Sequence, residues 1–131
     1  MKIYTYYQDI NFLNQNKLLD LWKKGWERQG FEAIVLDLSH AQSHPYFEEF
    51  DKTMKDIFFQ ITGKQINKYG MTCWHRWLAY ATQPEEKFYV SDYDVINYAF
   101  EIKEPIEQLH MMDGFCPCLA SGTPEKFEFL C

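Results

Sequence analysis

The chain opens on Lys2–Tyr7, Lys-Ile-Tyr-Thr-Tyr-Tyr, a run of β-formers that predicts a first strand. Gln8–Asn11 follows as a polar loop, with Asn11 placed to cap a helix. From Phe12 to Gln29 the apolar positions change to helical spacing. Leu18, Trp22 and Trp26 recur at i, i+4 and i+8, with Leu21 and Gly25 beside them. Lys17, Lys23, Lys24, Glu27 and Arg28 fill the opposite side. Gly30 is the expected left-handed stop. Phe31–Leu38 reads as a second strand. Its Ala-Ile-Val-Leu run is nearly continuous, as in strands buried on both faces. Strand, helix and strand in this order predict a βαβ unit, and therefore a parallel pair.

The second half is less regular. Ser39–Phe59 reads as a helical region. Ser43-His44-Pro45 is its start signal, with Pro45 at the first helical position and Glu48 and Glu49 in the first turn. Tyr46, Phe47, Phe50, Met54, Ile57 and Phe58 supply its apolar stripe. Gln60–Gly70 is polar and reads as a loop. Met71–Gln83 is a third helix, stopped by Pro84, with Trp74, Trp77, Leu78 and Ala81 as its buried stripe and Arg76 near one edge. Phe88–Ser91 is a short buried strand, and Asn97–Leu109 is too mixed to assign. Gly114–Ala120 reads as a further strand, placed at an edge or bulge by Pro117. Thr123 and Pro124 then open a final helix as N-cap and first residue. The whole describes one α/β domain over residues 1–131.

Composition narrows the function classes. A net charge of −6 argues against nucleic-acid binding, which normally needs a basic patch. Aromatic residues at 18% are well supplied for packing and for stacking on flat ligands. No window is long and apolar enough for a membrane span. Met1-Lys2-Ile3 runs directly into strand-like sequence, so a cytoplasmic protein is expected. Cys73, Cys116, Cys118 and Cys131 lack the spacing of a zinc site or a disulfide framework and read as reduced thiols. His40 and His44 read as surface or capping residues. No Gly-x-Gly-x-x-Gly follows the first strand, so a dinucleotide fingerprint is absent.

The chemistry gathers in Lys87–Ile96, Lys-Phe-Tyr-Val-Ser-Asp-Tyr-Asp-Val-Ile. On an extended backbone, Asp92 and Asp94 share one face and Tyr93 takes the other. Two such charges about 7 Å apart repel by roughly 2 kcal/mol at an effective dielectric of about 20. Acids aimed at one point suit a hard cation such as Mg²⁺ or Mn²⁺. The same residues also suit a simple polar turn after a strand.

Thr72-Cys73-Trp74-His75-Arg76-Trp77-Leu78-Ala79, followed by Phe88-Tyr89-Val90-Ser91-Asp92-Tyr93-Asp94-Val95, resembles the DXD-containing sugar-binding region of GT-A-fold glycosyltransferases. Lys-Ile-Tyr-Thr-Tyr-Tyr, the long helix and Phe-Glu-Ala-Ile-Val-Leu resemble the opening nucleotide-binding unit of the same family. The resemblance implies a Rossmann-like, three-layer α/β/α sandwich with a mostly parallel central sheet, truncated at the C-terminus before an acceptor-binding half. It implies a nucleotide-diphosphate sugar donor, a Mn²⁺ or Mg²⁺ cofactor, and transfer to an unknown acceptor. By position, Asp94 becomes the more direct metal ligand. Asp92 faces ribose or sugar hydroxyls and supports the metal. Arg76 contacts the donor sugar or phosphate, and Tyr4, Thr5 and Tyr6 lie near the base. A truncated fold would leave an edge or apolar face open, so self-association into a homo-oligomer is also expected. The alternative is a non-catalytic binding or interaction module that retains such a scaffold.

Overall fold

The structure is a computed structural model that describes residues 1–101, 103–105, 107–112 and 118–131. Its elements run β1 Lys2–Tyr6, α1 Gln15–Arg28, β2 Glu32–Leu36, α2 Leu38–Gln42, α3 Phe47–Thr62, α4 Lys68–Ala81, β3 Phe88–Ser91, β4 His110–Met111, β5 Leu119–Gly122 and α5 Pro124–Glu128. The sheet order is β2-β1-β3-β5-β4. The expected βαβ pair is present: β1 and β2 run parallel, with Lys2 opposite Glu32 and Tyr6 opposite Leu36. β3 joins the other side of β1, also parallel. The mostly parallel sheet proves mixed in its pairings. β5 opposes β3, and β4 opposes β5.

Strand alternation divides the interior into two cores, one on each face of the sheet. Ile3, Ala33 and Tyr89 point to one face and pack against Trp22 and Trp26 of α1. Tyr4, Tyr6, Leu36, Phe88 and Val90 point to the other. There they meet Ala41 of α2, Phe47 and Phe50 of α3, Trp77 and Leu78 of α4, and Phe127 of α5. Helices therefore cover both faces of one sheet.

Several boundaries differ from the sequence reading. Asn11 is not the cap of α1. Asn11 and Asn14 both take left-handed backbone, with φ of 62° and 64°, and the helix starts only at Gln15. Asn tolerates that conformation better than most residues. Leu18 and Leu21 are exposed, so the buried stripe of α1 centres on Trp22 and Trp26. Ser39–Phe59 is two helices. Asp37 accepts from the Ser39 and His40 amides and His40 answers the Asp37 amide, which builds α2 as a closed capping box. α3 begins two residues past Pro45, with Glu48 and Glu49 in its first turn. Gly63, at φ 68°, stops it in the left-handed conformation. His44 is buried rather than superficial, 3.5 Å from Glu128. Trp74, expected in the stripe of α4, is 38% exposed. Of the expected Gly114–Ala120 strand, Gly114–Pro117 lies outside the described residues; β5 occupies Leu119–Gly122. β4 was not anticipated.

Candidate functional site

Three elements converge beyond the carboxyl end of β3. β3 contributes the segment that leaves it, α4 contributes Arg76, and the β1–α1 loop contributes a wall. β1 lies between β2, which the chain reaches through α1, and β3, which it reaches through helices on the opposite face. The order therefore reverses beside β1. In open α/β sheets a ligand crevice lies at such a reversal, outside the carboxyl ends of the strands.

The backbone at Asp92 does not continue extended. Val95 N–H donates to the Asp92 carbonyl at 3.0 Å, closing a four-residue turn over Asp92–Val95. Asp is a favoured first residue of such turns. The shared face expected from strand alternation is thus replaced by turn geometry. The turn is fastened from outside. Asp92 N–H donates to the Cys118 carbonyl at 2.9 Å, prolonging the β3–β5 pairing. Trp22 Nε1 donates to Ser91 Oγ at 2.6 Å, and Trp26 Nε1 donates to the Val95 carbonyl at 3.1 Å. Two indoles one helical turn apart on α1 therefore hold both ends of the segment carrying the acids. The aromatic stripe was legible in sequence. Its second use was not, although a buried indole N–H usually finds a partner.

Arg76 and Asp92 are directly paired, Nη1 to Oδ1 at 2.5 Å. The guanidinium carbon lies 4.5 Å from the centre of the Trp77 ring, which fixes its plane. Burial pushes the Asp92 carboxyl above its ordinary range. Arg76 opposes that rise and Asp94 adds to it. The Asp94 charge is thus felt at Asp92 across the turn. Asp94 is exposed and has no hydrogen-bond or ion-pair partner among the described residues.

Asp94 also lines a cavity of about 410 Å³ with Phe12, Leu13, Gln15, Leu18, Tyr69 and Tyr93. Gln15 organises this wall. It is buried, donates to the Gln8 carbonyl at 2.8 Å and accepts from Ile10 N–H at 3.1 Å. The loop it secures presents Phe12 and Leu13 outward, Leu13 being 89% exposed. Tyr69 faces Phe12 with ring centres 6.0 Å apart. Neither aromatic stood out as a site residue in the sequence: Phe12 read as the start of a helix and Tyr69 fell in a segment read as a loop.

Tyr4, Thr5 and Tyr6 are all buried. Tyr4 hydroxyl bonds to Glu85, which also pairs with Lys2, at the opening end of β1 and β3. The structure thus brings together Arg76, Asp92 and Asp94, and leaves Tyr4, Thr5 and Tyr6 in the sheet layers. Other hollows carry less chemistry. One of about 590 Å³ lies along the far end of α3 beside Phe59 and Gln65. A cleft of about 380 Å³ on the other flank of α4 contains Asp51 and His75, whose Nε2 and Oδ1 are 2.9 Å apart.

No protein-family model, curated protein or solved structure matches the chain. The functional reading rests on the arrangement above.

Proposed function

We propose that this chain binds a nucleotide-diphosphate sugar beside the Asp92–Val95 turn, with a divalent cation between diphosphate and carboxylates, and transfers the sugar to an acceptor. The finer fold reading that accompanies it is a Rossmann-like sandwich of GT-A type. One observation carries the proposal: two carboxylates sit in a fastened turn where the strand order reverses, with an arginine on the first and solvent at the second.

The donor set fits the cation. Two carboxylates offer hard oxygen donors, which suit Mg²⁺ or Mn²⁺. Among the described residues no group of three or more His, Cys, Asp or Glu could hold a metal without help. Phosphate oxygens and water would complete the shell, as they commonly do for Mg²⁺. Asp94 is the open ligand and Asp92 the supporting one. A bound cation of this kind offsets negative charge on a departing nucleotide. Arg76 holds Asp92 in place and offers positive charge on the same side. Tyr4, Thr5 and Tyr6 are buried in the sheet layers, so the reading relies on Arg76, Asp92 and Asp94.

Thermal unfolding tests this. Mn²⁺ with UDP, GDP or one of their sugars, at about 100 times its dissociation constant, should stabilise the chain by about 2.7 kcal/mol. Asp94→Ala should abolish the metal-dependent part. An unchanged melting point with every nucleotide, with and without metal, would refute the proposal. The exposed Phe12, Leu13 and Tyr69 around the same cavity favour a second reading, a non-catalytic binding module. Nucleotide release from the bound donor separates the two, because only the transferase produces it.

A further inference from the structure

Arg76 and a metal ion would compete for one carboxylate. Arg76 Nη1 donates to Asp92 Oδ1 at 2.5 Å, with the two side chains 17% and 33% exposed. Arg76 Nε is buried and has no hydrogen-bond partner among the described residues. The guanidinium thus has an anionic partner on one side, the Trp77 ring against it, and donors beyond the one Asp92 takes. Asp94 stands exposed two residues on, and is the carboxylate that an arriving cation meets first.

We infer that Arg76 is a built-in counter-ion that withholds Asp92 from the cation until an anionic diphosphate arrives. The inference rests on the reading above and adds to it a rule of binding order. A divalent cation closing on both acids brings two positive charges beside a guanidinium already paired with Asp92. Like charges in a partly buried site oppose that approach. A diphosphate removes the opposition. Its oxygens accept from the guanidinium N–H groups and compete with Asp92 for them, in the fork geometry a guanidinium favours for phosphate. Asp92 Oδ1 is then released toward the cation. Cation and diphosphate bind synergistically, and each binds weakly without the other. The coupling is reciprocal, as any linkage between two binding equilibria must be.

Mn²⁺ binding, followed through the loss of the free-ion electron paramagnetic resonance signal, tests the inference. It is measured with and without UDP, and corrected by a protein-free control for ion held by the nucleotide. In the wild-type chain UDP should tighten Mn²⁺ binding by about tenfold, within the usual span of such couplings. Arg76→Gln should tighten binding of Mn²⁺ alone by a similar factor and reduce the effect of UDP to what its phosphate oxygens supply as metal ligands. Asp92→Asn, which frees the guanidinium, should tighten binding of metal-free pyrophosphate. This second variant keeps the test decisive if Arg76→Gln folds poorly. If Arg76→Gln folds and binds Mn²⁺ alone no better than wild type, or if Asp92→Asn leaves pyrophosphate binding unchanged, the counter-ion role is wrong while the metal site stands. If the wild-type chain binds Mn²⁺ in neither condition, the functional proposal itself fails.

Discussion

Residue types announced this site more clearly than residue geometry did. Asp92, Asp94 and Arg76 could be picked out from sequence because a helix Arg precedes a buried strand ending in two acids. Their relation could not. Strand alternation assumes that the chain stays extended, yet Ser91 is the last strand residue and Asp92 begins a turn. The indole donors were also hidden, since Trp22 and Trp26 reach acceptors 69 positions away. That tether gives a measurable expectation. Trp26→Phe keeps an aromatic ring but leaves the Val95 carbonyl without its donor, which should cost about 1–2 kcal/mol in urea unfolding. Trp22→Phe and Ser91→Ala remove the two ends of one buried hydrogen bond. Their double-mutant cycle should return a coupling of about 1 kcal/mol. Additive effects of the two substitutions would show that the Trp22–Ser91 bond contributes nothing.

Elements were legible where one pattern dominated and blurred where local chemistry interrupted it. α4 was recognisable because its apolar residues recur at helical spacing, but its start was set too late. The actual N-cap is Asn67, whose Oδ1 accepts from Gly70 N–H at 2.8 Å. α2 and α3 merged in the sequence reading although Ser43–Tyr46 separates them, and the Asp37–His40 capping box that opens α2 is a side-chain arrangement rather than a periodicity. α1 was extended too far back because Phe12 looks helical, whereas left-handed Asn11 and Asn14 hold it in a loop. Capping matters here, since α4 carries Arg76. Asn67→Ala should lower stability by about 1 kcal/mol. Thr123, at the start of α5, makes no side-chain cap hydrogen bond. Thr123→Ala should therefore cost distinctly less. Chemical denaturation of both variants checks the contrast, and equal losses would mean that the Asn67 cap adds nothing beyond the helix itself.

For the molecule as a whole, the βαβ opening was legible because it is local, while the β5–β4 edge depends on contacts between distant segments. Stability against pH likewise depends on residues from every layer. His75 is buried with Nδ1 lacking a partner among the described residues, and burial lowers its basicity below the ordinary value near 6.5. The Asp51 bond counteracts this only in part. As pH falls below 6.5 the unfolded chain takes up this proton first, so folding weakens until His75 itself titrates in the native state. A second loss follows at lower pH. Hydrogen bonds from Ser39 and His40 hold Asp37 down to about 2. Burial raises Asp51 and Glu85, but Lys55 and His75 outweigh it at Asp51, as Lys2 and Tyr4 do at Glu85. These carboxylates contribute stability that is present above about 4 and lost as pH falls through their lowered native values. Asp92 works in the opposite sense. Its raised value means that the native state binds the proton first, so acidification relieves a cost there. Urea midpoints should therefore fall in two steps on acidification, one beginning near 6.5 and one below about 4. His75→Gln should flatten the first step and reduce only the Asp51 share of the second, leaving the shares of Asp37 and Glu85. Asp92→Asn should steepen the net acid loss, because it removes the one shift named here that resists it. A single transition near 4 in the wild-type chain, unchanged by His75→Gln, would mean that His75 protonates equally readily folded and unfolded.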